Sequence, residues 1–190
     1  MNVYEAIMQR RTIRKFKQEP IDRDILIKLI DCARVAAYGA NMQPLKFAVI
    51  DDAAMLKDIY PLTKWAGALA DGAPREGERP VAYIAVLCDK NIRPNGAAEV
   101  EVGAAVTTMM LEAEEMGLAT CWLGAIQRDK IKQVLKLAPK LDVLYLLALG
   151  YPMQKSRMVE MTGGDVKYYE SEDGTINVPK RSLDEVIVTL

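Results

Sequence analysis

The chain of 190 residues contains no histidine. That absence removes the Ser-His-Asp and Cys-His nucleophile schemes, the HExxH zinc enzymes and most imidazole-based proton shuttling. Cysteine is scarce: Cys32, Cys88 and Cys121 are an odd number with no CxxC spacing. They fit reduced, buried thiols rather than a disulfide framework or a zinc site, so no metal is expected. No GxGxxG follows a strand pattern and no GxxxxGK[ST] occurs, which leaves no support for a dinucleotide fingerprint or a P-loop. Long apolar runs are also missing. Residues 81–88 and 143–149 are strand-length, far below the roughly 18 residues that suggest a membrane span. Net charge of one sign is nearly absent, at -1 with a pI near 5.7, which argues against general attraction to nucleic acid or anionic membranes. The first residues carry Glu5 and then dense charge from Arg10, without the apolar core of a secretory signal, so a cytoplasmic setting is expected. If the protein is an enzyme, a cofactor has to carry the reactive chemistry.

Hydrophobic residues at 51% and charged residues at 27% describe an ordinary soluble globular chain, long enough for one domain with a sizeable core. The spacing predicts a short helix over 3–9 with Ile7 and Met8 inward, followed by a basic turn over 10–17. Asp22 is a plausible N-cap for a helix ending before Gly39. Residues 45–50 have strand composition, and helix-like spacing runs from Ala53 to about Ala70, broken by Pro61. Residues 71–80, with Gly72, Pro74, Gly77 and Pro80, read as a surface loop that could serve as a lid. Strands are expected at 81–88, 119–123 and 143–149. A long helix is expected over 97–116, closed by Gly117, and another over 130–137. On the long helix, Ala98, Gly103, Ala104 and Ala105 offer a small-residue surface for close packing. Beyond Gly150-Tyr151-Pro152 the chain turns polar, and Ser182 caps a final short helix or tail. This alternation indicates a mixed α/β class but does not set strand order or direction. The segment 152–190 lacks an evident core of its own and is expected to wrap another surface, such as a second subunit.

Four constellations could carry chemistry. Arg10-Arg11-Thr12-Ile13-Arg14, with Lys15 and Lys17 beyond, concentrates cations whose planar donors fit phosphate oxygens, and Thr12 adds a hydroxyl. A solvated basic face is the competing reading. Tyr38-Gly39-Ala40-Asn41-Met42-Gln43-Pro44 joins a helix to a strand. Gly39 permits close backbone approach, and Asn41 and Gln43 offer donors and acceptors to the edge of a heteroaromatic ring. The alternative is a polar loop bonded to its own backbone. In residues 117–124, Leu123 and Gly124 end a strand where backbone N–H groups can meet a ligand, while Trp122 reads as core. Pro179-Lys180-Arg181 adds two cations near the C-terminus, which in isolation read as surface. The pair Glu114-Glu115 reads as solvation.

Taken together and in this order, these segments resemble the nitroreductase family of flavoproteins along nearly the whole chain. Arg10-Arg11-Thr12-Ile13-Arg14 is similar to the family's RRSxR start, and Asn41-Met42-Gln43-Pro44-Leu45 to its NxQPW, with Leu45 in place of the Trp. The helix ending in Gly117-Leu118, then Leu149-Gly150-Tyr151-Pro152 and Lys180-Arg181, agree in spacing. The resemblance implies an α+β fold with a central, mostly antiparallel sheet flanked by helices. It also implies an intertwined homodimer binding FMN at the subunit interface. Arg10, Arg11, Thr12 and Arg14 would hold the phosphate and the pyrimidine edge, joined by Lys180 and Arg181. Tyr38, Gly39 and Asn41 would come from the partner, Gln43 would also bind the cofactor, and Leu123 and Gly124 would meet the ring. Tyr38, Lys64 and Trp65 are candidate substrate-pocket residues. The implied activity is hydride transfer from NAD(P)H through FMN N5 to a small acceptor such as a nitroaromatic or quinone, donor and acceptor taking turns in one pocket. No side chain is then a catalytic residue. Reductive dehalogenation or enone reduction on the same scaffold, and a non-catalytic flavin- or anion-binding module, are the alternatives.

Overall fold

Two apolar runs too short for a membrane and too continuous for a half-exposed strand belong at the centre of a sheet covered on both faces. The computed structural model describes every residue except Ala70, Asn95 and Leu190. Its helices are α1 (Val3–Gln9), α2 (Arg23–Arg34), α3 (Ala53–Ile59), α4 (Glu99–Glu115), α5 (Arg128–Val134) and α6 (Leu183–Val186). Its strands are β1 (Leu45–Ile50), β2 (Ala82–Asp89), β3 (Ala119–Leu123), β4 (Leu141–Gly150), β5 (Ser156–Glu160), β6 (Tyr169–Glu170) and β7 (Ile176–Lys180). Among the described residues no helix is long and apolar enough to cross a membrane.

The main sheet has the order β1-β2-β4-β3, with every neighbouring pair antiparallel. This is the α+β arrangement that the resemblance implied. All of β2 is buried. On one face Ile84, Val86, Leu147 and Leu149 pack with Leu26, Leu29 and Ala33 of α2 and Val102, Val106 and Met109 of α4. On the other, Tyr83, Ala85, Leu146 and Ala148 pack with Phe16, Ile59 and Ile131. Both layers come from period-two alternation along strands that are apolar on each side.

Local signals set most element ends. Asp22 caps α2 by accepting from the Asp24 N–H (2.9 Å), and Ser182 forms a capping box with Glu185 at α6. Gly117 takes φ 72°, and the Leu118 N–H donates to the Ala113 carbonyl (2.8 Å), closing α4 as expected of a glycine C-cap. The spacing from Ala53 resolves into α3 and a 3₁₀ turn over Tyr60–Leu62 containing Pro61; Ala70, at the end of that expectation, lies outside the described residues.

Three expectations need correction. Ile7 and Met8 do not face inward: Ile7 is 50% exposed, and Ala6 is the buried residue of α1. A helix of two turns lying against α4 has room for one inward position. Residues 10–17 are not a turn but an extended strip, with bridges from Thr12 to Thr120 and from Phe16 to Pro152. β3 is an edge strand, and its free backbone groups recruit the strip: the Ile13 N–H donates to the Thr120 carbonyl (3.1 Å). Residues 71–80 are tied to the body rather than free as a lid. The Phe16 N–H donates to the Glu78 carbonyl (2.8 Å), Gln18 Nε2 to the Arg79 carbonyl (2.9 Å), and the Tyr60 hydroxyl to the Pro74 carbonyl.

The C-terminal segment builds a second sheet, β5-β7-β6, with Ile176 and Asn177 buried. Its turn is organised by Asp173, which accepts from the Ser171 hydroxyl (2.7 Å), the Thr175 N–H (3.1 Å) and the Thr175 hydroxyl (3.0 Å). These bonds, the Ser171 hydroxyl first, draw the Asp173 carboxyl down to about 2. A depressed carboxyl stabilises above the ordinary Asp range and loses that contribution as pH falls from about 4 through 2. An NMR titration should therefore show Asp173 protonating near 2; a midpoint near 4 contradicts this turn geometry.

Candidate functional site

The basic strip places alternate residues differently. Ile13 and Phe16 point into the core, while Arg10, Thr12 and Arg14 are half-buried at its surface. The strip is clamped on its other side by the segment after β4. The Lys17 N–H donates to the Tyr151 carbonyl (2.9 Å), the Met153 N–H to the Lys15 carbonyl (3.0 Å) and the Arg14 N–H to Gln154 Oε1 (3.3 Å). The backbone beneath the arginines is therefore held before any ligand arrives.

The four residues of the strip are not equivalent. Arg11 Nη2 donates to the Met8 carbonyl (2.7 Å) and Nη1 to the Arg10 carbonyl, so this side chain serves the open carbonyls at the C-terminal end of α1. Arg11 Nε stays buried without a partner beside a cavity of about 200 Å³ that Gln154 and Ser156 also line. The Arg10 backbone N–H donates to the Ala6 carbonyl (2.9 Å), but its side chain makes no hydrogen bond or ion pair among the described residues. Arg14 lies with its guanidinium carbon 4.5 Å from the centre of the Tyr168 ring. Half-buried cations without a carboxylate at ion-pair distance have lost hydration for little counter-charge in return, and two of them beside a hydroxyl suit an anionic group.

Tyr169 pairs with Asn177, so Tyr168 lies at the Val178 end of the ladder, two residues before Lys180. At about 3.3 Å per residue and 4.8 Å between strands, Lys180 follows on the order of 10 Å from the Tyr168 backbone. Lys180 is exposed, and Arg181 pairs with Glu185 at 3.3 Å on the surface.

Leu123 is buried at the end of β3 and Gly124 is exposed; a Cβ there would meet the Tyr145 ring at 3.2 Å. The Lys64 N–H donates to the Ala125 carbonyl (2.9 Å) and Thr63 bridges Ile126, which brings the 64–65 segment to that turn. Lys64 is exposed there. Trp65 turns back, stacking on Tyr60 at 6.1 Å and donating its Nε1 to the Thr63 hydroxyl (2.7 Å). Cys121 is buried under Arg14's side of the strip. Burial pushes its thiol up to about 11 against the opposing charge of Arg14, so it is no thiolate nucleophile at neutral pH.

The loop over 38–43 lies elsewhere. Tyr38 donates its hydroxyl to the Ala33 carbonyl (3.0 Å), and Gly39 abuts the Glu101 carboxylate, where a Cβ would lie 3.3 Å from Oε1. Gln43 Nε2 donates to the Asn41 side chain (3.1 Å) and carbonyl (3.2 Å), so within one chain the loop bonds to itself. Ala40, Asn41 and Gln43 all take positive φ, of 48°, 53° and 50°, an unusual concentration for residues with side chains. Thr120 pairs with Leu149, whereas Leu45 reaches β4 through Cys88 at Asp142. The two groups thus occupy diagonal corners of the sheet, roughly 25–30 Å apart by strand rise and spacing.

Three contributors were not singled out in the sequence. Gln154 and Tyr168 touch Arg14 from a hundred or more residues away, and no local pattern marks them. Glu114, read as solvation, is half-buried on α4 near Arg10 and Arg11. Burial raises its carboxyl pKa while Arg10 and Arg11 oppose the rise.

The fold and this surface define an α+β protein with an antiparallel core and a basic strip laid along one sheet edge. Residues 7–151 match the Nitroreductase family, and the chain belongs to it. A Rhodospirillum rubrum 5,6-dimethylbenzimidazole synthase is 25% identical over 83% of this chain and 85% of its own. An NADPH-dependent oxidoreductase of Staphylococcus aureus strain MRSA252 is 23% identical over 80% of this chain and 66% of its own. A Desulfovibrio desulfuricans structure in complex with FMN is 28% identical with a TM-score of 0.67, covering 81% of this chain and 88% of that one.

Proposed function

We propose that this chain is an FMN-dependent oxidoreductase. It passes a hydride from NAD(P)H to a small acceptor such as a nitroaromatic or quinone, in a site shared by two copies. The observation that carries this reading is the pair of half-buried, unpaired cations Arg10 and Arg14 flanking the Thr12 hydroxyl on a clamped strip. The donor set fits the group: Arg10 and Thr12 would take the phosphate end, Arg14 the pyrimidine edge, with Lys180 and Arg181 adding charge. Leu123 and Gly124 would border the ring. The S. aureus relative's name and the FMN complex of the D. desulfuricans structure support the same donor and cofactor.

The distance across the sheet supports a shared site. FMN is too short to reach from the strip to the 38–43 loop of the same chain, so that loop would meet FMN held by the other copy. Apolar surface is available for such a pair. Val100 on α4 is 84% exposed, Ile7 and Tyr4 of α1 are exposed, and Val188 beyond α6 is 82% exposed. The helix α4 is also apolar around most of its circumference, as a helix packed on more than one side would be. Segment 152–190 would then lie over the partner.

Bound FMN supplies a site, N5, that accepts a hydride and gives it up again. The chain's part would be to hold and polarise: Arg14 would place a fixed positive charge at the pyrimidine edge, where it would favour the anionic form without reorganising. Lys64, exposed beside Ala125, would face whichever substrate occupies the pocket. Donor and acceptor would alternate there, since no second dinucleotide site is evident. The test is anaerobic: the yellow protein should bleach with NADH or NADPH and recover with a quinone or nitroaromatic. Colour unchanged by both nucleotides would contradict the reductase reading.

A further inference from the structure

A second half-buried cation without a carboxylate partner lies away from the proposed FMN site. Between α3, the 71–80 loop and the start of β2 is a cavity of about 380 Å³, and none of the residues assigned to FMN lines it. Tyr83, 1% exposed, stands in its wall with a hydroxyl that makes no hydrogen bond. Arg79 lines the same cavity, and its Nε is buried without a partner. The Arg79 guanidinium carbon is held 4.1 Å from the Tyr60 ring centre, and its backbone is fixed by Gln18. Leu56, Pro80 and Val81 complete an apolar wall.

Leaving such groups unsatisfied costs about 1–3 kcal/mol each, more where charge is involved, and here two belong to residues that line one cavity. Their chemistry is selective. Arginine only donates, and burial raises the Tyr83 pKa, keeping the phenol neutral and able to donate; the Thr63 hydroxyl opposes that rise from nearby without reaching hydrogen-bond geometry. Arg79 has no carboxylate within ion-pair distance among the described residues. A water molecule would satisfy the hydrogen bonds but not the charge. Of the rim residues, Lys57 favours an anion and Glu76 disfavours one.

We propose that this cavity is a binding site for a small carboxylate on a flat apolar body, its two oxygens taken by Arg79 and the Tyr83 hydroxyl and its body packed against Leu56, Pro80 and Val81. The site is independent of the FMN reading.

Calorimetric titration of the FMN-loaded protein with benzoate, and with neutral benzamide, tests it. Benzoate should bind with one site per chain that depends on both donors. Tyr83→Phe and Arg79→Met should each weaken it at least tenfold, and benzamide should give no comparable heat. Tyr83→Phe removes a single unpartnered oxygen, so its melting temperature and FMN content should match wild type and its result stays readable. A crystal soaked with 4-bromobenzoate should show the bromine signal in this cavity. No benzoate binding, binding unchanged in both variants, or a bromine signal only elsewhere would overturn the proposal, while FMN content reports separately on the redox site.

Discussion

Gly150→Ala should lower the melting temperature by about 5–10 °C and release most of the bound FMN. Gly150 ends β4 directly beneath Phe16, and an added Cβ would lie 2.7 Å from Phe16 Cβ, 2.8 Å from Cδ1 and 2.9 Å from Cγ. Phe16 has nowhere to go. It is fully buried, its N–H is held by Glu78, and its neighbours Lys15 and Lys17 are bonded to Met153 and Tyr151. Overpacking of this kind costs about 1–3 kcal/mol, which is about 2–4 °C per kcal/mol in a chain of this size. Arg14 lies two residues away on the same strip, so the displacement reaches the grip as well as the core. Adding Phe16→Leu should restore part of both losses by removing the overlapped ring. Thermal melts and flavin absorbance check each half, and a Gly150→Ala protein with unchanged stability and full colour would contradict this packing.

Arg14→Ala should weaken FMN binding by about 10- to 100-fold, since one charge-assisted hydrogen bond in a partly desolvated site contributes about 1.5–3 kcal/mol. Its fold should persist, because the Arg14 side chain stacks on Tyr168 but makes no ion pair. Arg11→Met should behave in the opposite way. It strips partners from the Met8 and Arg10 carbonyls and should cost about 1–2 kcal/mol of stability, with a much smaller effect on FMN. Denaturation curves and FMN titrations on both proteins separate the two roles; equal losses of FMN affinity would erase the distinction.

That distinction shows where sequence reading ends. The bounds of β1 and β3, the Asp22 and Ser182 caps and the Gly117 terminator follow from local residue chemistry, and the structure has them in place. What Arg10, Arg11 and Arg14 each do depends on the carbonyls, rings and amides that other segments bring to them, and Gln154 and Tyr168 arrive from far along the chain. The extended course of residues 10–17 likewise depends on β3 being an edge strand, which the strand order decides and hydrophobic periodicity does not. Ile7 and Met8 misled because a two-turn amphipathic pattern is the same whether its apolar face meets its own core or is left outside it. The motifs in register carried the family; the division of labour within them needed the fold.

The shared site is tested most directly by complementation. Asn41→Pro cannot keep the positive φ of the loop and should spoil that half of the site, as Arg14→Ala spoils the other. Each variant alone should bind FMN poorly. A purified heterodimer of the two, isolated by separate tags, holds one site with both halves intact and should carry one tightly bound FMN per pair of chains. A heterodimer that binds no better than its parents, or a monomer that binds FMN at full stoichiometry, would contradict a site built from two copies.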